Sequence, residues 1–362
     1  MGAAIPRTGD ETVSHFPCTS YFRVTIARWV RCLLLSDVLI ISPPYSNILV
    51  PMEDKCPTCL TVVYVPSAEP LDRTVCPICG TEFIFREWFG TIRLLSVAGR
   101  GGMGMVYKAF DAHLHRNVAL KVLYSEAFNK DEVSEIQREA SIMGGINHPN
   151  VAKVFTTGMV QDQFYMAMEL VEDGSLDDVI EARVKISESK LLTMAIEVAS
   201  GLRAAWDAGV MHRDVKPANI LFADNGIRLV AKIVDFGLAT FRATAAKAAT
   251  EIFGTPYYVS PEQLRGQPED CRSDMYALGA SLYHALAGQP PFDGELPQEV
   301  ADLRLKKPAE NLLSIAPSVS GPTAAVVNRM LMKSPSARFQ TYDELIQRLE
   351  QAKEALPKRV GR

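Results

Sequence analysis

Six short clusters hold the residues of this 362-residue chain best suited to chemistry. Gly99, Gly101 and Gly104, in GRGGMGMV, lack side chains, so backbone N–H groups there can approach phosphate oxygens closely. Val106 adds an apolar face for a flat ring. Lys121 ends the alternating run NVALKVL and offers a compact point charge for phosphates. Glu139, in the helical stretch EVSEIQREASIM, is a carboxylate able to hold that lysine, with Glu135 one turn earlier as its rival. HRDVKPAN contains Asp214, Lys216 and Asn219; DFG begins at Asp235; SPE ends at Glu262. The Asp235 carboxylate and Asn219 amide are hard oxygen donors that suit Mg2+. The glycine run alone fits a plain hairpin turn equally well. Order and separation of all six decide the matter: they match the set used to move the terminal phosphate of ATP to a hydroxyl.

Over roughly residues 90–350 these motifs resemble those of bacterial eukaryotic-like (Hanks-type) serine/threonine protein kinases. The resemblance implies an α+β, bilobal protein-kinase fold: a small β-rich N-lobe and a larger helical C-lobe. It implies that Asp214 receives or orients the proton of the substrate hydroxyl, that Lys216 neutralises charge on the moving phosphoryl group, and that Asn219 and Asp235 bind Mg2+. It pairs Lys121 with Glu139, makes His212 a structural prop, and has Asp274 brace the catalytic loop. In FYMAMELVEDGSL it makes Met168 the gatekeeper and has the backbone of Glu169 and Val171 read the adenine edge, with Leu221 as the floor. GTPYYVSPEQ (254–263) resembles the serine/threonine form, with Thr255 set near Asp214 and Lys216, and with Glu262 paired to a buried Arg338. Arg213 is expected to receive an activation-loop phosphate, for which Thr244 and Thr250 are the candidate acceptors, Thr250 first.

The elements that must position these residues are legible in outline. Strand-like runs recur at 104–110, 117–123, 153–158 and 163–168, with a helical pattern at 131–144. Beyond Gly174 the period turns helical, at 175–182, 189–208, 272–287, 322–332 and 341–354. The kinase-like domain is expected over 90–352, followed by a short tail at 353–362 with no further domain after it.

CPTC (56–59) and CPICG (76–80) form two knuckles separated by sixteen residues, the spacing of a zinc ribbon. Cys56, Cys59, Cys76 and Cys79 would hold a structural Zn2+ in a small domain at 52–88 that can build little core alone. A redox disulfide pair and an iron–sulfur cluster are the competing readings. Gly80 permits the tight turn after the second knuckle, and Leu60 replaces glycine after the first. Residues 1–51 carry no clear period or motif; a start codon set too far upstream, or a disordered arm, accounts for them. Their run CLLLSDVLII is short for a membrane span, interrupted by Asp37, and not followed by a clean signal-peptidase site.

A net charge of −4 argues against a nucleic-acid surface, and 48% hydrophobic residues supply ample core. Seven cysteines without a dense framework suit a reducing cytoplasm. The expected partners are proteins bearing Ser or Thr, with a transient homodimer for trans-autophosphorylation. The alternative reading is a pseudokinase scaffold that binds nucleotide and recruits partners. The presence of Lys121, Glu139, Asp214, Asn219 and Asp235 together argues against it.

Overall fold

The computed structural model describes residues 53–64, 70–101, 104–124, 130–160, 163–236 and 257–357. Thr244, Thr250 and Thr255 lie outside the described residues, as does Gly237. All described segments belong to one unit, Ile48–Arg362.

The chain first makes two short antiparallel ribbons, β1 (Glu53–Lys55) with β2 (Val62–Tyr64) and β3 (Arg73–Val75) with β4 (Glu82–Ile84). A six-stranded antiparallel sheet follows. Its strands are β5 (Trp88–Phe89), β6 (Ile92–Gly101), β7 (Gly104–Asp111), β8 (Arg116–Leu123), β9 (Val154–Val160) and β10 (Gln163–Glu169), in the order β5-β6-β7-β8-β10-β9. The alternation in NVALKVL decides how β8 sits: Val118, Leu120 and Val122 go into the sheet's core with Leu94, Tyr107 and Ala109. Lys121 therefore points to the other face, opposite Val106 on β7 and Met166 on β10. Helix α1 (Lys130–Gly145) packs beside β9 and buries Ile136, Ala140 and Met143.

The rest is mainly helical: α2 (Leu176–Glu181), α3 (Glu188–Asp207), α4 (Pro261–Leu264), α5 (Cys271–Ala287), α6 (Pro297–Lys306), α7 (Leu312–Ile315), α8 (Gly321–Met330) and α9 (Tyr342–Glu354). Local chemistry sets their ends. Ser175 and Ser260 start α2 and α4 with reciprocal capping boxes, and Gly288 stops α5 in the left-handed conformation at φ 73°. Helix α5 is buried around most of its circumference, so Ser273, Asp274 and Ser281 come inside with its apolar residues. A two-stranded ribbon, β11 (Ile220–Asp224) with β12 (Leu229–Ile233), sits between the catalytic-loop segment and Asp235. Among the described residues, no helix is long and apolar enough to cross a membrane.

Three short helices, α4, α6 and α7, are not predicted by the periodicity. Each is ten residues or fewer and opens with proline or a capping side chain rather than an apolar stripe.

Candidate active site

The β11–β12 ribbon determines how the polar groups converge. The Val234 N–H donates to the Asn219 carbonyl (3.0 Å), so the two Mg2+-type donors Asn219 and Asp235 leave adjacent backbones. Asn219 Nδ2 donates to the Asp214 carbonyl (2.8 Å) and lies 3.3 Å from Asp214 Oδ2. Lys216 Nζ donates to the same Oδ2 at 2.8 Å. From the sheet side, Lys121 Nζ reaches Asp235 Oδ1 at 2.9 Å. Lys121, Asp214, Lys216, Asn219 and Asp235 thus form one contiguous polar cluster drawn from three chain segments.

Electrostatics follow from that placement. Burial pushes the Asp235 carboxyl up, but the Lys121 ammonium beside it, with His212 and Lys216 nearby, outweighs burial and holds it below the usual range. Asp235 and Arg213 both adopt φ of +63°, a backbone region costly for non-glycine residues and concentrated at functional sites. The loop is braced from below by Asp274, 2% exposed, whose Oδ2 and Oδ1 accept from the His212 and Arg213 N–H groups at 2.9 and 2.8 Å. His212 is fully buried; its Nε2 lies 2.7 Å from the Val234 carbonyl and its ring packs on Phe236 at 4.5 Å. It joins the 212–214 loop to the segment after β12 that carries Asp235, as a prop would.

One expected contact is replaced. Glu139 does not pair with Lys121: its Oε1 lies 3.7 Å from Arg213 Nη1, while Lys121 takes Asp235. The residue types allow both arrangements, because one lysine and one arginine face two carboxylates. Which pairs form depends on the position of α1 relative to the catalytic loop, a tertiary variable.

The glycine run divides into two roles. A Cβ at Gly99 would meet nothing within 4 Å, and one at Gly101 only a backbone oxygen at 4.0 Å, so open space for a ligand remains there. A Cβ at Gly104 would lie 2.1 Å from the Val122 carbonyl oxygen, so this glycine is required by the close approach of β7 to β8. Met168, 6% exposed, and Lys121 line a cavity of about 20 Å³ with Met143, Val154, Met166 and Phe236. The Glu169 N–H is used on the Lys153 carbonyl (2.8 Å), and its carboxylate holds Lys232 at 3.0 Å. Val106 and Leu221 are half-buried, and Leu221 bridges Ser175 beside the segment that follows β10.

The comparisons with known proteins agree with this geometry. The family model described as protein kinase domain matches residues 92–349. The chain belongs to the protein kinase family. It is similar to a probable serine/threonine-protein kinase of Clostridium perfringens, 36% identical over 262 residues that cover 72% of this chain and 38% of that protein. Another in Corynebacterium efficiens is 37% identical over 264 residues, covering 70% of this chain and 40% of that protein. Serine/threonine-protein kinase PknB of Mycobacterium tuberculosis is 34% identical over 258 residues, covering 69% and 41%. The chain spans about two fifths of the length of these relatives.

A second cluster lies ahead of the kinase domain. The sulfurs of Cys56, Cys59, Cys76 and Cys79 all lie within 4.8 Å of one another, and the thiols are free. Cys56 to Cys79 and Cys59 to Cys76 are each 3.5 Å. Four sulfurs about 2.3 Å from one Zn2+ would stand roughly 3.8 Å apart, so the set fits a tetrahedral ion. The two knuckles repeat each other: in each, the first Cys N–H donates to a threonine carbonyl five residues on (Thr61, Thr81) and its carbonyl accepts from Leu60 or Gly80, all at 2.9 Å. Leu60 therefore adopts φ 59° where the second knuckle has Gly80 at 72°. That leucine is 71% exposed, so its side chain contributes little burial to offset the strain. Leu60→Gly should stabilise the knuckle by about 1 kcal/mol, checked by its resistance to metal withdrawal by a graded chelator.

Proposed function

We propose that the chain is an ATP-dependent protein serine/threonine kinase. The observation that carries this is that Asp214, Lys216 and Asn219, joined by side-chain hydrogen bonds, lie one backbone hydrogen bond from the segment of Asp235, which pairs with Lys121. Asn219 and Asp235 would hold Mg2+, which when bound supplies charge neutralisation for the phosphates. Lys121 would position the α- and β-phosphates, and Val106, Met168 and Leu221 would enclose the adenine. Asp214 takes the proton of a Ser or Thr hydroxyl as its oxygen bonds to the γ-phosphorus and the bond to the bridging oxygen of ADP breaks. Lys216, 2.8 Å from Asp214, offsets the charge that develops on the transferred group. Purified protein incubated with labelled ATP and Mg2+ should transfer label to Ser and Thr of a protein substrate and of itself, mapped by mass spectrometry. Label confined to water-released phosphate, or found on no hydroxyl, overturns the reading.

The ion pairs point to a regulated site. With Lys121 on Asp235 and Glu139 on Arg213, both groups that should serve nucleotide are engaged elsewhere. A phosphate on Thr250 or Thr244 brings roughly −1.5 to −2 charges and would outcompete Glu139 for Arg213, releasing Glu139 to Lys121. A transient homodimer would deliver that phosphate in trans. The Thr244→Ala, Thr250→Ala double variant should keep its fold and lose at least about tenfold in activity, read as initial transfer rate. Full activity with no loop phosphate in the parent would remove the switch.

The cysteine cluster supports a structural Zn2+ in the ribbon, since among the described residues the apolar cluster around it adds only Val63 and Phe83 to the cysteines. Four free thiols and a need for ATP suit a reducing cytoplasm.

A further inference from the structure

Among the described residues, Arg304 on α6 is the largest charged side chain buried without a countercharge. It is 0% exposed, and no carboxylate pairs with it among the described residues. Its Nε–H is buried with no hydrogen-bond partner. The guanidinium sits between the rings of Tyr276, at 5.8 Å, and Phe292, at 5.3 Å. A second cation, Lys333, donates to the Arg304 carbonyl and lies 5.6 Å from the same Phe292 ring, which adds repulsion rather than relief. A buried guanidinium without an acid carries a desolvation cost that packing alone does not repay, and an apolar residue of similar length would fill the space more cheaply.

What the guanidinium does there is specific. Nη1 donates to the Val259 carbonyl at 2.5 Å and Nη2 donates to the Tyr257 carbonyl. Between them, the Tyr258 hydroxyl meets His284 Nδ1 at 2.8 Å. Directly after them Ser260 caps α4, and Glu262 is fixed by Arg338, whose guanidinium lies 4.7 Å from the opposite partner of Arg304, the Tyr276 ring. The 257–262 segment is therefore clamped at its far end by a paired arginine and at its near end by an acid-free one. Arg304 turns two alternate carbonyls inward and so fixes the backbone of 257–259.

We infer that Arg304 is a positioning residue for the protein substrate, holding 257–259 in the shape that receives the residues beside the phosphoacceptor. This rests on the kinase reading. The test uses the full chain with Arg304→Met and Arg304→Lys, a Ser-containing peptide, ATP and Mg2+. Arg304→Met should raise KM for peptide about tenfold, leave KM for ATP unchanged, and not lower the melting temperature. Arg304→Lys, with one compact donor group in place of the two-pronged fork, should fall between. Amide exchange at 257–260 should accelerate in both variants, a readout that needs no activity and so survives failure of the kinase reading. Leu349→Val, a destabilising core change in α9, controls for a general loss of stability and should leave peptide KM alone. Unchanged peptide KM, unchanged exchange at 257–260, or a KM shift equal to that of the control overturns the inference.

Discussion

Asp214→Asn is expected to lower phosphate transfer by about 10²- to 10⁴-fold while leaving ATP affinity within about twofold. The substitution keeps the size and most of the hydrogen-bonding shape of the side chain. It removes the negative charge that holds Lys216 at 2.8 Å and that, in the proposed mechanism, would take the hydroxyl proton. In the proposed reading the nucleotide would be held by other groups, the glycine run, Lys121 and the metal donors Asn219 and Asp235, so binding should survive. Single-turnover transfer and equilibrium nucleotide binding on the same preparation separate the two quantities. Loss of both together would mean that Asp214 organises the cleft rather than acting on the acceptor.

Arg338→Ala is expected to cost about 3–5 kcal/mol of stability, a large part of the roughly 5–15 kcal/mol that holds a typical domain folded. Arg338 is fully buried and grips Glu262 through two bonds of 2.6 and 2.8 Å. It also donates to the carbonyls of Met332, Arg272 and Lys333. Its removal leaves the Glu262 carboxylate, 4% exposed, with the Ser273 hydroxyl at 2.7 Å as its remaining side-chain donor. The pH dependence should invert. In the parent, burial pushes the Glu262 carboxyl up, but Arg338 outweighs burial and holds it below the ordinary 4.5. A depressed acid contributes stability above pH 4.5 that is lost as pH falls through its folded value. In the variant burial acts alone, the carboxyl rises above its unfolded value, and the added destabilisation should grow as pH rises from about 4.5 to 7. Replacing both partners, with Glu262→Leu and Arg338→Met, should recover most of the loss. Denaturant unfolding of the parent and the two variants between pH 4 and 7 checks each statement.

The sequence yields most readily those residues whose roles are fixed by short spacing. Asp214, Lys216 and Asn219 share one loop, so their meeting is nearly guaranteed by chain connectivity. The cysteine knuckles are legible for the same reason, down to the tight turn expected at Gly80 and the departure at Leu60, both of which are left-handed. Leu60 in that conformation is the price of the first knuckle having the same hydrogen bonds without the glycine. Contacts between distant elements are less legible. The exchange of partners among Lys121, Asp235, Glu139 and Arg213 depends on where α1 lies, and the residue types permit either pairing. Gly104 reads as part of a phosphate loop, yet the Val122 carbonyl opposite it supplies a packing reason that only the β7–β8 register reveals. Arg304 gives no signal in PQEVADLRLK, where a lone arginine reads as a solvated helix face. Its burial comes from Tyr276 and Phe292, which are remote in the chain. At the border of the ribbon, Trp88 and Phe89 form a strand of the six-stranded sheet, so the sheet begins before the first glycine-loop strand and adjoins the cysteine module directly.

Solving the structure of the protein with Mg2+ and a non-hydrolysable ATP analogue tests the central claim most directly. The expected result has Lys121 released from Asp235 onto the phosphates, with Asn219 and Asp235 on the metal and Asp214 facing the terminal phosphate. A nucleotide seated away from these residues, or a Lys121–Asp235 pair that persists with no metal between the donors, would contradict it.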